Sequence, residues 1–224
     1  MKLYFHPAST TSRIVQLFAM DQGIDLDYQV VDLFTGEHLK PEFAAINPNS
    51  LVPVLEDGDF RLTESSAILK YLADQAGSPA YPKDLKSRAR VNEMMDWFNS
   101  NIYKDIGYGL TYPQLFPHHQ RPGDAVQAGT LEWGRQRTAF WLKILDESLL
   151  GPKKAYLCGD AITLADYLGA EMLTVGELVR CSYAGYPNID RWLRNMKKLK
   201  SWPKVHEVID GFAASLKDKS FVAV

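Results

Sequence analysis

Hydroxyl side chains are crowded between the end of a predicted strand and the start of a predicted helix, within Pro7–Arg13. They belong to Ser9, Thr10, Thr11 and Ser12. A hydroxyl can accept a hydrogen bond from the free N–H groups of a helix start, which is the ordinary capping role of these residues, and Thr11 or Ser12 is the expected cap. It can also donate a hydrogen bond to an anion such as a thiolate, which lowers the pKa of the thiol. The residue types alone leave both interpretations open.

Polar residues also open a later predicted helix, over Thr63–Ser66. The unpaired N–H groups of a helix start and the helix dipole together favour a bound anion. An ordinary helix cap predicts the same residues. The segment is therefore a candidate anion site whose local sequence is equally typical of a cap.

A proline interrupts the apolar run Leu51–Leu55. Because proline has no N–H to donate to a sheet, Pro53 excludes a central strand and predicts either an edge strand or a cis turn. If the Val52-Pro53 bond is cis, the backbone N–H and C=O of Val52 are free to pair with an extended peptide ligand.

A histidine and a lysine, His38 and Lys40, lie in the polar segment Gly36–Pro41. The segment predicts an exposed loop. A histidine in such a loop is more often a solvated surface residue than part of a site. Taken alone, His38 therefore does not indicate a function.

The elements that must position these residues alternate between strand and helix over residues 2–75. Their predicted order is βαβ, an irregular segment over Phe34–Asn47 that holds at most a short helix, and then ββα, with the hairpin turning at Asp57-Gly58. Gly77–Pro82 interrupts both periodicities and predicts a linker. The sequence therefore predicts a small α/β domain followed by a second, different unit.

After about residue 87 the pattern predicts helices only, of the kind that form a bundle. Two long amphipathic helices are indicated by the apolar sets Val91, Met94, Met95, Phe98, Ile102 and Phe140, Ile144, Leu145, Leu149. Pro113–Gly123 predicts a loop rich in aromatic, histidine and proline residues. Thr163 and Asp166 have the spacing of a capping box, which predicts a helix start with a structural role.

Composition and charge exclude several classes of protein. With 46% hydrophobic and 23% charged residues, the chain has the composition of a typical globular protein. Its net charge of -2 does not indicate binding to nucleic acid or to an anionic membrane. Cys158 and Cys181 form no disulfide or metal-binding pattern, and the five histidines form no ligand cluster. No signal-peptide core or membrane-spanning apolar stretch is present. We expect a cytoplasmic protein.

Taken together, these signals resemble the cytosolic glutathione S-transferases, specifically the serine-using, theta-like branch that includes bacterial dehalogenase relatives. The resemblance covers nearly the whole chain. It is carried by Phe5–Ser9, Ser12-Arg13, Gly36–Leu39, Asn47-Pro48, Val52–Leu55, Asp57–Phe60, Leu62–Ser65, Ala67-Ile68 and Ile162–Asp166. The family implies a thioredoxin-like, glutathione-binding domain over residues 1–77, a linker over 78–86, and an all-helical domain over 87–224 that completes the electrophile site.

The resemblance also implies a role for each matching residue. Ser9 would donate its hydrogen bond to the sulfur of glutathione, so that the thiolate becomes the nucleophile. Val52 would pair with the cysteinyl backbone, held open by Pro53. The γ-glutamyl end would bind Glu64 and Ser65. The glycine carboxylate would meet His38 and, less directly, Lys40. Glutathione is then a co-substrate, and no further cofactor or metal is implied.

This chain differs from its relatives in the hydroxyl segment. It has Thr10-Thr11-Ser12 where relatives usually have Gln-Pro-Cys, so Thr10 and Thr11 are alternatives to Ser9 as the donor. No cysteine lies near the segment, which argues against the cysteine-type members that reduce mixed disulfides.

The second substrate is expected to be a hydrophobic electrophile. Four aromatic side chains are candidates for a wall over the thiol, although aromatics at helical spacing are also typical of a core: Tyr103, Tyr108, Tyr112 and Phe116. The resemblance further implies a homodimer, with detoxification by conjugation as the activity. Two alternative functions stay open: a binding or regulatory protein with this fold but without turnover, and a glutathione-dependent dehalogenase or isomerase.

Overall fold

The computed structural model describes all 224 residues. Its first domain contains a four-stranded sheet in the order β2-β1-β3-β4. β1 is parallel to β2 and antiparallel to β3, and β3 is antiparallel to β4. The strands are Lys2–Phe5 (β1), Asp27–Val30 (β2), Val54–Asp57 (β3) and Phe60–Leu62 (β4). This is the predicted βαβ-ββα order of a thioredoxin-like domain.

Three helices accompany the sheet: α1 (Thr10–Asp21), the short α2 (Pro41–Ala44) and α3 (Ser65–Gln75). Ser9 caps α1, because its side-chain oxygen accepts a hydrogen bond from the backbone N–H of Ser12 at 3.3 Å. A 3₁₀ turn over Glu37–Leu39 precedes α2. The sequence predicted a helix start in the hydroxyl segment, but the expected cap, Thr11 or Ser12, was wrong: both residues lie inside α1, and Ser9 is the cap because the helix begins at Thr10. Helix α3 begins within one residue of its predicted start at Glu64, and α2 accounts for the short helix of the irregular segment.

Pro53 lies just before β3 and outside the sheet. The Val52-Pro53 peptide bond is cis. Of the two alternatives that the sequence left open, the cis turn is therefore the one adopted. The apolar run forms a strand only from Val54 onward, because proline cannot donate a ladder hydrogen bond.

The second domain is helical, as predicted. Its first helix starts at Leu85, two residues before the expected boundary, since the Asp84 side chain caps it by accepting from the Ser87 N–H at 2.9 Å. The helices are α4 (Leu85–Trp97), α5 (Tyr112–Leu115), α6 (Asp124–Ile144), α7 (Leu164–Glu177), α8 (Pro187–Met196) and α9 (Trp202–Ser215). Wider π-type turns join α4 to α5 over Phe98–Ile102 and Lys104–Thr111, and extend α6 over Leu145–Leu150.

Helix α7 is the centre of the helical domain, and every residue from Leu164 to Gly176 is buried. It starts with the predicted capping box, in which the Asp166 carboxylate accepts from the Thr163 N–H at 2.8 Å. A Cβ atom at Gly169 would lie 2.6 Å from the ring of Phe98, so glycine is required for this close packing. α7 also packs against α1, which joins the two domains.

Two further details of the helical domain differ from the sequence-based expectations. Phe140 was predicted on a buried helix face, but it is 49% exposed, with the Arg137 guanidinium 5.0 Å from its ring. The predicted loop after Pro113 begins inside α5 and includes a 3₁₀ turn over Pro117–His119. None of the helices combines the length and the apolar character that crossing a membrane would require.

Candidate active site

A cavity of about 600 Å³ lies where the two domains meet. Both domains contribute to its wall, and ten of the eleven residues predicted for the site line it: Ser9, His38, Val52, Pro53, Glu64, Ser65, Tyr103, Tyr108, Tyr112 and Phe116. The alternative donors Thr10 and Thr11 line it too. Lys40 does not line the cavity, and its side chain is exposed.

Three groups form a chain of hydrogen bonds at the start of α1. The Ser9 and Thr11 hydroxyl oxygens are 3.1 Å apart, and the Thr11 hydroxyl donates to the Val52 carbonyl oxygen at 3.1 Å. Since a carbonyl only accepts, the single hydrogen of Thr11 points to Val52. Ser9 must then donate its own hydrogen to Thr11. The Ser9 hydrogen is therefore the one in this chain that is not held by a backbone carbonyl.

Thr10 belongs to a separate chain that crosses between the domains. Its hydroxyl lies 3.3 Å from the Tyr112 hydroxyl, which lies 2.6 Å from the Tyr103 hydroxyl. Burial raises the pKa of Tyr103 well above its ordinary value, and burial also raises the pKa of Tyr112. Both phenols are therefore neutral at physiological pH and can act as hydrogen-bond donors.

The backbone of Val52 presents a free donor to the cavity. Its N–H makes no hydrogen bond within the protein, as predicted for a cis bond at Pro53. The prediction that its carbonyl is free as well was wrong, because the carbonyl oxygen accepts from the Thr11 hydroxyl. Unpaired N–H groups on a largely buried backbone segment are unusual unless a ligand or water satisfies them. Val52 is 8% exposed, so this N–H can pair with a ligand that enters the cavity in an extended conformation.

The start of α3 offers a set of donors to an anion. Glu64, which precedes the helix, has a positive φ of 65°, a conformation that costs free energy for a residue with a side chain. No side chain caps the helix, so the N–H groups of its first turn have no side-chain partner. Ser65 is buried there while Glu64 is exposed, which places a hydroxyl and a carboxylate at the same helix end.

His38 lies in the 3₁₀ turn before α2, and its Nδ1 atom is buried without a hydrogen-bond partner. A buried polar atom without a partner has lost its hydration and gains from a ligand that pairs with it. This supports His38 as a binding residue more strongly than the sequence did.

Aromatic rings form a second part of the cavity wall. The ring of Phe212, on α9, stacks on Phe116 with centroids 6.2 Å apart, and lies 6.4 Å from the ring of Phe34 in the first domain. Tyr108 contacts Tyr112 edge to face at 5.1 Å. Sequence reasoning found the tyrosines and Phe116. It missed Phe34, Phe212 and also Leu178 and Ile209, which line the same wall.

Three further histidines line the cavity and were not predicted: His6, His118 and His119. His6 accepts a hydrogen bond from the Ala8 N–H at its Nδ1 atom, 3.2 Å away. Burial lowers the pKa of His6 and also that of His119. These two rings are therefore neutral at physiological pH. The position of His6 directly before Pro7–Ser9 was the one signal in the sequence that could have found it.

Comparison with known proteins identifies the family. Residues 3–80 match the model described as glutathione S-transferase, N-terminal domain, and residues 130–200 match the corresponding C-terminal domain. Human glutathione S-transferase theta-1 is 34% identical over 215 residues, which covers 93% of this chain and 88% of that protein. Rat glutathione S-transferase theta-2 is 35% identical over 195 residues, or 86% of this chain and 78% of that protein.

Solved structures agree with the sequence comparison. A crystal structure of human glutathione transferase theta-2, in complex with glutathione and an unknown ligand, superimposes with a TM-score of 0.84 at 30% identity and covers 100% of this chain and 93% of that chain. A delta-class glutathione transferase from Nilaparvata lugens gives a TM-score of 0.79 at 33% identity, covering 96% and 98%. The chain therefore belongs to the glutathione S-transferase family and is an enzyme of this type.

Proposed function

We propose that this enzyme conjugates glutathione to hydrophobic electrophiles, and that the Ser9 hydroxyl stabilises the glutathione thiolate. The observation that carries the proposal is the hydrogen-bond chain Ser9–Thr11–Val52 at the cavity wall. It leaves the Ser9 hydrogen free to turn from Thr11 to an incoming sulfur, while Val52 receives the peptide backbone beside it.

One hydroxyl at a helix start can supply the free energy needed to stabilise the glutathione thiolate. Lowering the pKa of a thiol from about 8.5 to about 6.5 takes roughly 2.7 kcal/mol. A charge-assisted hydrogen bond, added to the field of a helix N-terminus, supplies free energy of this order. The Ser12 N–H that donates to the Ser9 oxygen also polarises the hydroxyl and so strengthens its donation.

Glutathione would lie along one side of the cavity in an extended conformation. The unpaired Val52 N–H would bind the cysteinyl carbonyl, as in recognition of an extended peptide. The uncapped start of α3 with Ser65 would bind the γ-glutamyl carboxylate, and Glu64 its ammonium group. His38 would bind the glycine carboxylate. Lys40 could assist only by a movement of its exposed side chain.

The electrophile would occupy the aromatic side of the cavity, between the tyrosines of the second domain and Phe212. Aromatic side chains bury large apolar areas and so favour hydrophobic ligands. Tyr103 and Tyr112 are neutral phenols, so this wall can also donate hydrogen bonds to a polar substituent of the substrate.

The deciding experiment is a conjugation assay over a panel of aryl halides, epoxides, alkyl halides and peroxides, with wild-type protein beside Ser9→Ala. We expect turnover that depends on Ser9 with at least one class. Glutathione binding without any turnover would instead support a binding or regulatory protein. Release of halide or rearranged substrate as the dominant product would support a dehalogenase or isomerase.

We also propose that the enzyme is a homodimer in which the α3 side of one subunit packs against the bundle of the other. Each of these surfaces carries exposed apolar side chains. Phe60, packed beside Tyr71 of α3, is 45% exposed. On α6, Val126, Trp133 and Phe140 lie at seven-residue intervals along one helix face, at 55%, 63% and 49% exposure. A cytoplasmic location stays a prediction from the sequence.

A further inference from the structure

Three charged or polar side chains from three helices meet in the interior between the two domains. The Arg13 Nε atom donates to the Glu171 Oε2 atom at 3.0 Å, and the other carboxylate oxygen, Oε1, lies 3.2 Å from the His206 Nε2 atom. Their side chains are 1%, 0% and 4% exposed. None of the three lines the cavity, so none is explained by direct contact with a substrate.

Two of the three members, Arg13 and His206, are connected to different parts of the active site. Arg13 lies in the first turns of α1 and donates from Nη1 to the carbonyl oxygen of Ala8 at 2.9 Å. Ala8 directly precedes Ser9, and its N–H is held by His6. Both peptide groups that lead into Ser9 are therefore fixed, one of them by Arg13.

His206 connects the same cluster to the electrophile wall. It lies on α9, one turn before Ile209 and two turns before Phe212, which both line the cavity. Its Nδ1 atom lies 2.9 Å from the Trp202 carbonyl oxygen, and a carbonyl can only accept, so Nδ1 carries a hydrogen. The Nε2 atom and the Glu171 Oε1 atom are buried side by side without forming a hydrogen bond, so His206 adds a close polar contact to the cluster.

A stabilising role alone does not account for this cluster. Burying charges costs several kcal/mol per ion, and well-packed apolar residues of similar volume often give equal or greater stability. An arginine, unlike an apolar residue, has a guanidinium group with several donors in a fixed geometry. Here its Nε donates to Glu171 and its Nη1 donates to the Ala8 carbonyl.

We propose that Glu171 is a positioning residue of the transferase reaction: it holds Arg13 so that the Ala8 carbonyl, and with it the Ser9 hydroxyl, keeps the orientation that stabilises the thiolate. This inference rests on the proposed role of Ser9. Glu171 acts through Arg13 and touches neither substrate.

A positioning role and a direct electrostatic role of Glu171 predict opposite changes in the pKa of the bound thiol when Glu171 is replaced. If Glu171 acted only by its charge, its removal would leave Arg13 unneutralised, and that cation would lower the pKa of the bound thiol. If Glu171 positions Ser9, its removal loosens the donor and the pKa of the bound thiol rises.

The experiment compares wild type with Glu171→Gln and Arg13→Lys. Lysine keeps the charge beside Glu171 but has no second nitrogen for the Ala8 carbonyl. We therefore expect Arg13→Lys to raise the pKa of the bound thiol as Glu171→Gln does, although the ion pair is kept. Tyr167→Phe is the matched control. It removes the hydrogen bond from Tyr167 to Asp21, which joins α7 to the opposite end of α1. The readouts are the pH–rate profile of conjugation, the ultraviolet absorbance of the bound thiolate, glutathione affinity by calorimetry, and urea unfolding.

We expect Glu171→Gln and Arg13→Lys to raise the pKa of bound glutathione by about one unit, which lowers conjugation about tenfold at a pH below both pKa values and about threefold at pH 7, with glutathione affinity within about threefold of wild type. Tyr167→Phe should lower stability and leave the profile unchanged. An unchanged or lowered thiol pKa in folded Glu171→Gln and Arg13→Lys would overturn the inference. Failure of wild type itself to show thiolate absorbance would instead overturn the proposed role of Ser9.

Discussion

The hydroxyl oxygens of Ser9 and Thr11 lie 3.1 Å apart, and the direction of the hydrogen bond between them follows from the third member of the chain. Thr11 donates its only hydrogen to the Val52 carbonyl, so Ser9 donates to Thr11. When glutathione binds, Ser9 must exchange the Thr11 oxygen for the sulfur. The same three groups thus contain the proposed thiol donor, its resting partner and the proposed backbone contact of the substrate.

Ser9→Ala should depress conjugation much more than it weakens glutathione binding. The hydroxyl favours thiolate over thiol, whereas most affinity should come from the peptide backbone and the carboxylates. A loss of one to two pKa units, about 1.4–2.7 kcal/mol, gives roughly tenfold to a hundredfold less thiolate at a pH below both pKa values, and a smaller loss at neutral pH. The defect should shrink as the pH approaches about 9, where an unassisted thiol ionises. A pH–rate profile beside calorimetry tests this, and an equal loss of affinity and turnover would contradict it.

Thr11→Val should leave conjugation within about threefold of wild type. The substitution removes the resting partner of Ser9 and the hydrogen bond to the Val52 carbonyl, but it keeps the proposed donor and the unpaired Val52 N–H. Steady-state kinetics at neutral pH are compared with those of Ser9→Ala and Thr10→Val. If Thr11→Val or Thr10→Val gives the large defect and Ser9→Ala does not, the donor has been assigned to the wrong hydroxyl.

Ser65→Ala should weaken glutathione binding about tenfold or more. A hydrogen bond to a charged group contributes about 1.5–3 kcal/mol, and Ser65 is proposed to donate to a carboxylate at the uncapped start of α3. The pKa of the glutathione that does bind should stay at the wild-type value, because Ser65 does not approach the sulfur in the proposed complex. Calorimetry measures the affinity, with Ser87→Ala, which lies in the first turn of α4 and outside the cavity, as the control.

Acid should destabilise the protein partly through Glu171. Burial alone would raise the pKa of this carboxyl, but Arg13 and His206 outweigh burial and lower it below its ordinary value. A carboxyl with a lowered pKa in the folded state contributes stability that is present above about pH 4.5 and lost as the pH falls through the folded-state pKa. Urea unfolding from pH 7 to pH 3 should show wild type more stable than Glu171→Gln at neutral pH, with the difference shrinking below about pH 4.5. A constant difference would contradict this.

Sedimentation should give a dimer of 25.3 kDa subunits at micromolar concentration. Phe60→Asp and Trp133→Glu should each shift the monomer–dimer equilibrium towards the monomer, because each substitution would bury a charge in the proposed interface. Val222→Asp, at an exposed position in the C-terminal tail, is the control for a new surface charge. A wild-type monomer, or a dimer unaffected by both substitutions, would refute the proposed contact.

The sequence by itself determined several local features. A helix start in the hydroxyl segment, an interruption of the apolar run at Pro53 and the Thr163–Asp166 capping box depend on residues within a few positions of each other, so their spacing is visible in the chain. The structure decided that Ser9 is the cap and that the Val52-Pro53 bond is cis. The order of strands and helices followed from periodicity in the same way. Ordered together, these features were also specific enough to indicate the family.

Only the tertiary structure decided which distant residues complete the cavity and which surfaces stay exposed. Phe212 lies about two hundred positions from Ser9 in the chain, yet both line one cavity. The Arg13–Glu171 pair joins two helices from different domains. Phe140 has the spacing of a buried residue and is nevertheless exposed, since amphipathic periodicity gives the apolar face of a helix but not the neighbour that covers it. Contacts of this kind depend on how whole helices pack, and no local pattern encodes that.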